Sequence, residues 1–126
     1  MSDVFDSSAL LAFLFREPGG EAVGSRISGG RISAVNAAEV IAKLVDRGYR
    51  DEAALAVWSE LAMNVIDYDL EQAKQSGLLR RSTRSLGLSL ADRACLTLAA
   101  RLGATAVTAD RAWVRQDLGI AVELVR

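Results

Sequence analysis

Short apolar runs alternate along the chain with longer stretches whose apolar residues recur at helical spacing, and this alternation narrows the possible folds more than any other feature. The short runs are Val4-Phe5, Arg31-Ile32-Ser33, Asn64-Val65-Ile66, Ala104 to Thr108 and Ile120 to Leu124. Between them, helices are expected over Ala9 to Phe15, stopped by Pro18-Gly19-Gly20, and over Glu21 to Ile27, closed by Gly29-Gly30. Asn36 is expected to cap a helix through Val40, Ile41, Leu44 and Val45 that ends at Gly48. Further helices are expected over Asp51 to Met63, over Leu70 to about Arg84 with Gly77 inside, and from a Ser89 cap to Leu102 with Gly103 as terminator. Strands that alternate with helices in this way need crossover connections, so the expected architecture is a parallel sheet covered on both faces. In the Asp51 to Met63 helix, Leu55, Val57, Trp58 and Leu61 cover more than one narrow stripe, which points to burial on two sides, one of which a partner subunit could cover.

With 126 residues, 51% of them hydrophobic, the chain is long enough for one domain, 1–126, with its own core. A charged fraction of 25%, a single proline and the lack of polar tracts give no sign of disorder. The N-terminal residues lack the basic start of a signal peptide and no apolar run is long enough to span a bilayer, so a cytoplasmic protein is expected. The chain has no histidine, which excludes His-ligated zinc and any Ser-His or Cys-His nucleophile. Its one cysteine, Cys95, lies in an apolar helical pattern and reads as a small buried hydrophobe. Positive charge is mostly arginine, and Arg80, Arg81 and Arg84 cluster in one segment. Guanidinium forks suit phosphate oxygens, which makes that segment a candidate nucleic-acid contact; the alternative is a solvated helix face.

Carboxylate chemistry remains, and its placement is uneven. Asp6 and Asp110 each follow a short apolar run, and the ends of parallel strands share the rim at which α/β folds bind ligands. Asn36-x-x-Glu39 and Ser89-x-x-Asp92 both have capping-box spacing. Taken singly, each acid reads as a helix cap. Taken together, all stand at strand ends or first helical turns, which right-handed crossovers bring to one rim, and local capping does not require that convergence. Carboxylates gathered there repel unless a cation holds them, and hard oxygen ligands suit Mg²⁺, with Mn²⁺ able to substitute. A cation among acids is a known means of phosphodiester cleavage and needs no histidine. A carboxylate orients the attacking water or accepts its proton. An aspartyl phosphatase fits less well because Ser8 stands where a second acid is wanted, and a phosphoacceptor receiver wants a lysine after a late strand, whereas the lysines are Lys43 and Lys74.

Four segments, Val4-Phe5-Asp6-Ser7-Ser8-Ala9-Leu10-Leu11, Ser33-Ala34-Val35-Asn36-Ala37-Ala38-Glu39-Val40, Leu90-Ala91-Asp92-Arg93-Ala94 and Val107-Thr108-Ala109-Asp110-Arg111-Ala112-Trp113, resemble the PIN-domain ribonucleases, and more narrowly the VapC toxins of bacterial toxin-antitoxin pairs. The resemblance covers essentially the whole chain. It implies a PIN-like three-layer α/β fold with a short central parallel sheet flanked by helices. It implies a Mg²⁺-dependent endoribonuclease with Asp6, Glu39, Asp92 and Asp110 as its acidic site, Asp6 and Asp92 being the direct metal ligands. Ser7 and Thr108 would be supporting hydroxyls, or else turn hydroxyls bonded to backbone. It further implies a homodimer, neutralised by a cognate antitoxin whose C-terminal segment fills a groove near the acids; Leu11, Phe13, Leu14 and Phe15 would line that groove or pack the core. Some relatives carry a further acid beyond the fourth, but here Ala112, Trp113 and Val114 occupy that stretch, which leaves a second metal open. A housekeeping RNA-processing nuclease and a catalytically inactive binding module on the same fold remain as alternatives.

Overall fold

Val4 and Phe5 bury their side chains on opposite faces of one strand, and the two hydrophobic cores are built outward from that pair. The structure is a computed structural model and describes residues 3–126. Its strands are β1 (Asp3–Phe5), β2 (Arg31–Ser33), β3 (Asn64–Ile66), β4 (Thr105–Thr108) and β5 (Val122–Leu124), all parallel, in the order β3-β2-β1-β4-β5. The helices are α1 (Ser7–Leu14), α2 (Ala34–Asp46), α3 (Asp51–Glu60), α4 (Leu70–Leu78), α5 (Arg80–Thr83) and α6 (Leu90–Leu102). Phe5, Ile32 and Val107 pack with Leu10 of α1, Val40 and Leu44 of α2 and Ala54 of α3. On the other face Val4 and Ala106 pack with Cys95, Leu96 and Leu98 of α6 and with Trp113. The expected parallel, doubly covered sheet is therefore found, and burial on both faces explains why its strands read as continuous apolar runs.

Strand order reverses at β1, which has β2 on one side and β4 on the other. In open α/β sheets the crevice at such a switch point is where ligands bind. Asp6 directly follows β1, and Asp110 lies two residues past the end of β4. Among the described residues no helix is long and apolar enough to cross a membrane.

Local structure departs from the sequence expectation in four places. The first helix starts at Ser7 rather than at Ala9, because Asp6 already has the extended backbone of an N-cap position. Glu21 to Ile27 is not one helix but two short 3-10 turns, Gly20–Ala22 and Gly24–Arg26. Gly20 is held so tightly there that a Cβ would lie 2.3 Å from the Ala12 carbonyl oxygen, a close approach open only to glycine. Asn36 does not cap α2; β2 ends at Ser33, whose Oγ accepts from the Val35 N–H at 3.2 Å and takes the role first. The long helix expected from Leu70 to Arg84 breaks at Leu79, whose carbonyl accepts both the Thr83 backbone N–H at 3.0 Å and its hydroxyl at 2.8 Å, a back-bond of the kind that bends helices. In α3 one side packs against α2 while Leu55 on the other is 53% exposed, so burial of both sides does not occur within this chain.

Candidate active site

Asp6 is the best-defined member of the site. It occupies the N-cap position of α1, yet its side chain makes no capping bond to that helix. Its carboxylate turns instead to hydroxyls: Oδ2 accepts from Ser8 Oγ at 2.5 Å and from Thr108 Oγ1 at 2.9 Å, and Ser7 Oγ lies 3.5 Å from Oδ1. The two donors to Oδ2 are themselves oriented by backbone, since Ser8 Oγ accepts from Ala109 N–H at 2.9 Å and Thr108 Oγ1 from Asp110 N–H at 3.0 Å. Each hydroxyl has one proton, and both protons point at the same oxygen. That arrangement favours an ionised acid with its other oxygen left nearly free.

Burial works the other way. Asp6 is 2% exposed, and loss of solvent pushes its pKa up to about 7 from the usual carboxyl value, with the nearby charges of Asp92 and Glu39 adding to the rise and the Ser8 and Thr108 hydroxyls opposing it. Asp92 is raised as well, chiefly by burial, with Asp110 and Glu39 contributing and its capping bonds to Ser89 opposing. Asp6 and Asp92 thus each feel neighbouring acids of the rim.

They are not held alike. Asp92 and Ser89 form a true capping box, with Ser89 N–H donating to Asp92 Oδ2 at 2.8 Å and Asp92 N–H to Ser89 Oγ at 3.1 Å. Asp110 caps the short turn that follows it, accepting from Ala112 N–H at 3.0 Å. Glu39 does not realise the capping-box spacing with Asn36; it lies in the second turn of α2 and accepts from the Ser7 hydroxyl. So the capping explanation holds locally for Asp92 and Asp110 and fails for Asp6 and Glu39.

None of the four acids pairs with a basic side chain among the described residues, where ion pairs link Arg26 to Asp3 and Glu123, Glu17 to Arg47 and Arg126, and Lys74 to Glu71. Nor, among those residues, do three acids stand close enough to grip one cation as they are placed. The donor set fits a hard divalent cation nonetheless: carboxylate oxygens, mutual repulsion, and a buried acid at the centre whose ionised form lacks a counter-charge.

Ser8 is a site residue that reasoning from sequence misses, although it makes the shortest bond to Asp6. Only its place two residues after an acid that ends a strand hints at it. Asn36, expected as a cap, is buried and donates to the Ala91 carbonyl at 3.2 Å. Arg80, Arg81 and Arg84 are exposed, and the Arg84–Leu86 turn packs against the Arg111–Arg115 turn that Asp110 begins. Leu11, Leu14 and Phe15 are partly buried against the core, whereas Phe13 is 39% exposed. A cleft of about 390 Å³ runs from Ser8 past Leu11 and Phe15 to Lys43, Arg47 and Arg126. Cys95 is fully buried and its thiol is held neutral by that burial, which agrees with a packing role.

The PIN-domain sequence profile matches residues 4–118 of the chain. No curated protein matches it in sequence. Among solved structures, DNA-bound VapBC from Salmonella typhimurium superposes with a TM-score of 0.75 at 22% identity, over 100% of this chain and 99% of that one. VapBC2 from Rickettsia felis, bound to a DNA fragment from its promoter, gives 0.74 at 18% identity over 100% of both chains. VapC20 from Mycobacterium tuberculosis, described as a toxin that cleaves the sarcin-ricin loop, gives 0.71 at 18% identity over 87% of this chain and 91% of that one. At these identities the superpositions show a shared fold.

Proposed function

The chain belongs to the PIN-domain family, and from that premise we propose that it is a divalent-metal-dependent endoribonuclease acting as the toxin of a toxin-antitoxin pair. One observation carries the enzymatic part: a buried carboxylate, Asp6, is aimed by two hydroxyls and flanked by further acids, with no basic side chain paired to it among the described residues. The toxin part is supported by the VapBC complexes and the VapC20 toxin among the structural neighbours.

In this reading Asp6 and Asp92 are the direct ligands of Mg²⁺, for which Mn²⁺ substitutes, and Glu39 and Asp110 complete the acidic site. When bound, the cation polarises the phosphoryl oxygen and lowers the pKa of water. Thr108, with Ser8, favours the ionised form of Asp6 and fixes its orientation. Ser7 holds Glu39 in place. A carboxylate of the group orients the attacking water or takes its proton. Arg80, Arg81 and Arg84 contact RNA phosphates from the side of the Asp110 turn. The protein works as a cytoplasmic homodimer and is silenced by a cognate antitoxin seated near the acids.

Purified protein, freed of antitoxin, should cleave RNA with Mg²⁺ or Mn²⁺ and stop on addition of EDTA. Asp6→Asn and Asp92→Asn should each remove cleavage while circular dichroism shows an intact fold. Activity that persists in both variants, or that ignores EDTA, would sink the assignment. On the same preparations, replacing the three arginines by alanine should flatten the dependence of RNA binding on salt by about 0.7 in log-log slope for each phosphate they neutralise, and an unchanged slope returns them to solvent. Growth arrest on expression without the antitoxin separates a toxin from a housekeeping nuclease.

A further inference from the structure

Asn36 is fully buried in α2 and leaves the capping of that helix to Ser33. Its side chain makes one polar contact, the Nδ2 donation to the Ala91 carbonyl at 3.2 Å, which crosses from α2 to α6. Its Oδ1 is buried without a hydrogen-bond partner among the described residues. A buried acceptor left unsatisfied lowers stability, and asparagine is a poor helix former, so a leucine would serve packing better at this position. What the amide does that leucine cannot is tie two backbone segments together.

Those segments carry two of the acids. Asn36 stands three residues before Glu39, on the same face of α2, and Ala91 immediately precedes Asp92. The two carboxylates repel each other, and α2 and α6 lie in direct contact at this place. We propose that Asn36 is a positioning residue that sets the separation of Glu39 from Asp92, and with it the width of the cation site. The inference rests on the proposed function, in which these acids hold a divalent cation.

The test is a calorimetric Mn²⁺ titration of metal-free wild type, Asn36→Ala, Asn36→Leu, Glu39→Gln and the double variant Asn36→Ala/Glu39→Gln, with thermal melts alongside. Both Asn36 variants should melt close to wild type and bind Mn²⁺ about 10–100-fold more weakly, as loss of a group that orients a metal ligand does. In cleavage assays kcat should fall while KM for RNA stays put. In the Glu39→Gln background the same Asn36→Ala change should cost no more than about twofold, because the group it positions has gone. Mn²⁺ affinity within about twofold of wild type in both single variants overturns the proposal, as does an undiminished loss in the double variant. Failure of both variants to fold also overturns it, by making Asn36 a folding residue. A wild-type protein that neither binds Mn²⁺ nor cleaves RNA fails at the earlier step, the functional reading itself.

Discussion

At the start of β1, Asp3 shares a single guanidinium with Glu123 of β5: Arg26 donates to Asp3 at 3.0 Å and, through two nitrogens, to Glu123 at 2.7 and 3.0 Å. At the other end of the same strand, Asp6 has hydroxyls and two neighbouring acids but, among the described residues, no guanidinium. The consequence for proton affinity is opposite in sign. Glu123 is held below its usual range by Arg26, whereas Asp6 is pushed up to about 7 by burial. The chain can neutralise acids on this sheet and does so where structure alone is at stake. At the rim it supplies oxygens that orient a carboxylate without a cancelling charge, which is what the proposed cation site needs and a structural ion pair does not.

The largest test of this contrast is the stability of the metal-free protein against pH. An acid whose folded pKa lies above its unfolded value binds protons more tightly when folded, so stability falls as pH rises from about 4 to about 7 and is flat beyond. Asp6 should therefore make metal-free protein melt lower at pH 8 than at pH 5, by an amount on the order of a few kcal/mol, with Asp92 acting in the same direction. Asp6→Asn should remove most of that slope, and Mn²⁺ should restore the wild type at pH 8. Equal melting at the two pH values would mean that Asp6 is not the buried, unneutralised charge described.

A smaller effect is expected from Thr108→Val, which keeps shape and removes one of the two protons aimed at Asp6. A hydrogen bond to a charged group contributes about 1.5–3 kcal/mol, and here it favours the ionised form. The acidic limb of the pH–rate profile for RNA cleavage should therefore move to higher pH by about one unit. A profile that stays in place would return Thr108 to the role of a turn hydroxyl.

The smallest is Arg26→Ala. Arg26 is 32% exposed and its partners comparably so, so after allowance for solvent screening the loss is about 1 kcal/mol. Its pH signature should be the reverse of that of Asp6: the stabilisation is present above the usual glutamate pKa and is lost as pH falls through the lowered value of Glu123. RNA cleavage should be untouched. If melting and cleavage fall together, the two acid groups are not separate systems.

How much of this was legible beforehand depended on range along the chain. Alternating short apolar runs and helical patterns specified the parallel sheet, because burial on both faces leaves its mark in consecutive residues. The Ser89 to Asp92 capping box was legible for the same reason, its two partners being three residues apart. The hydroxyl network was not: Ser8 and Thr108 are 100 residues apart, and Ser7 and Glu39 are 32. Asn36 misled because asparagine is at once a favoured cap and a side chain able to cross-link buried segments, and only the end of β2 at Ser33 decides which. The break after α4 was hidden likewise, since Gly77 stays within the helix and the side-chain bond from Thr83 to Leu79 comes after it.

The burial of Asp6 would also make the proposed cation site a proton exchanger. With its pKa pushed up to about 7, that carboxyl holds a proton in a sizeable share of metal-free molecules at neutral pH, and a cation taking the proposed site would have to expel it. Occupancy of the proposed site would then depend on acidity as well as on metal supply: at constant Mg²⁺, a fall in pH would return the proton and weaken binding.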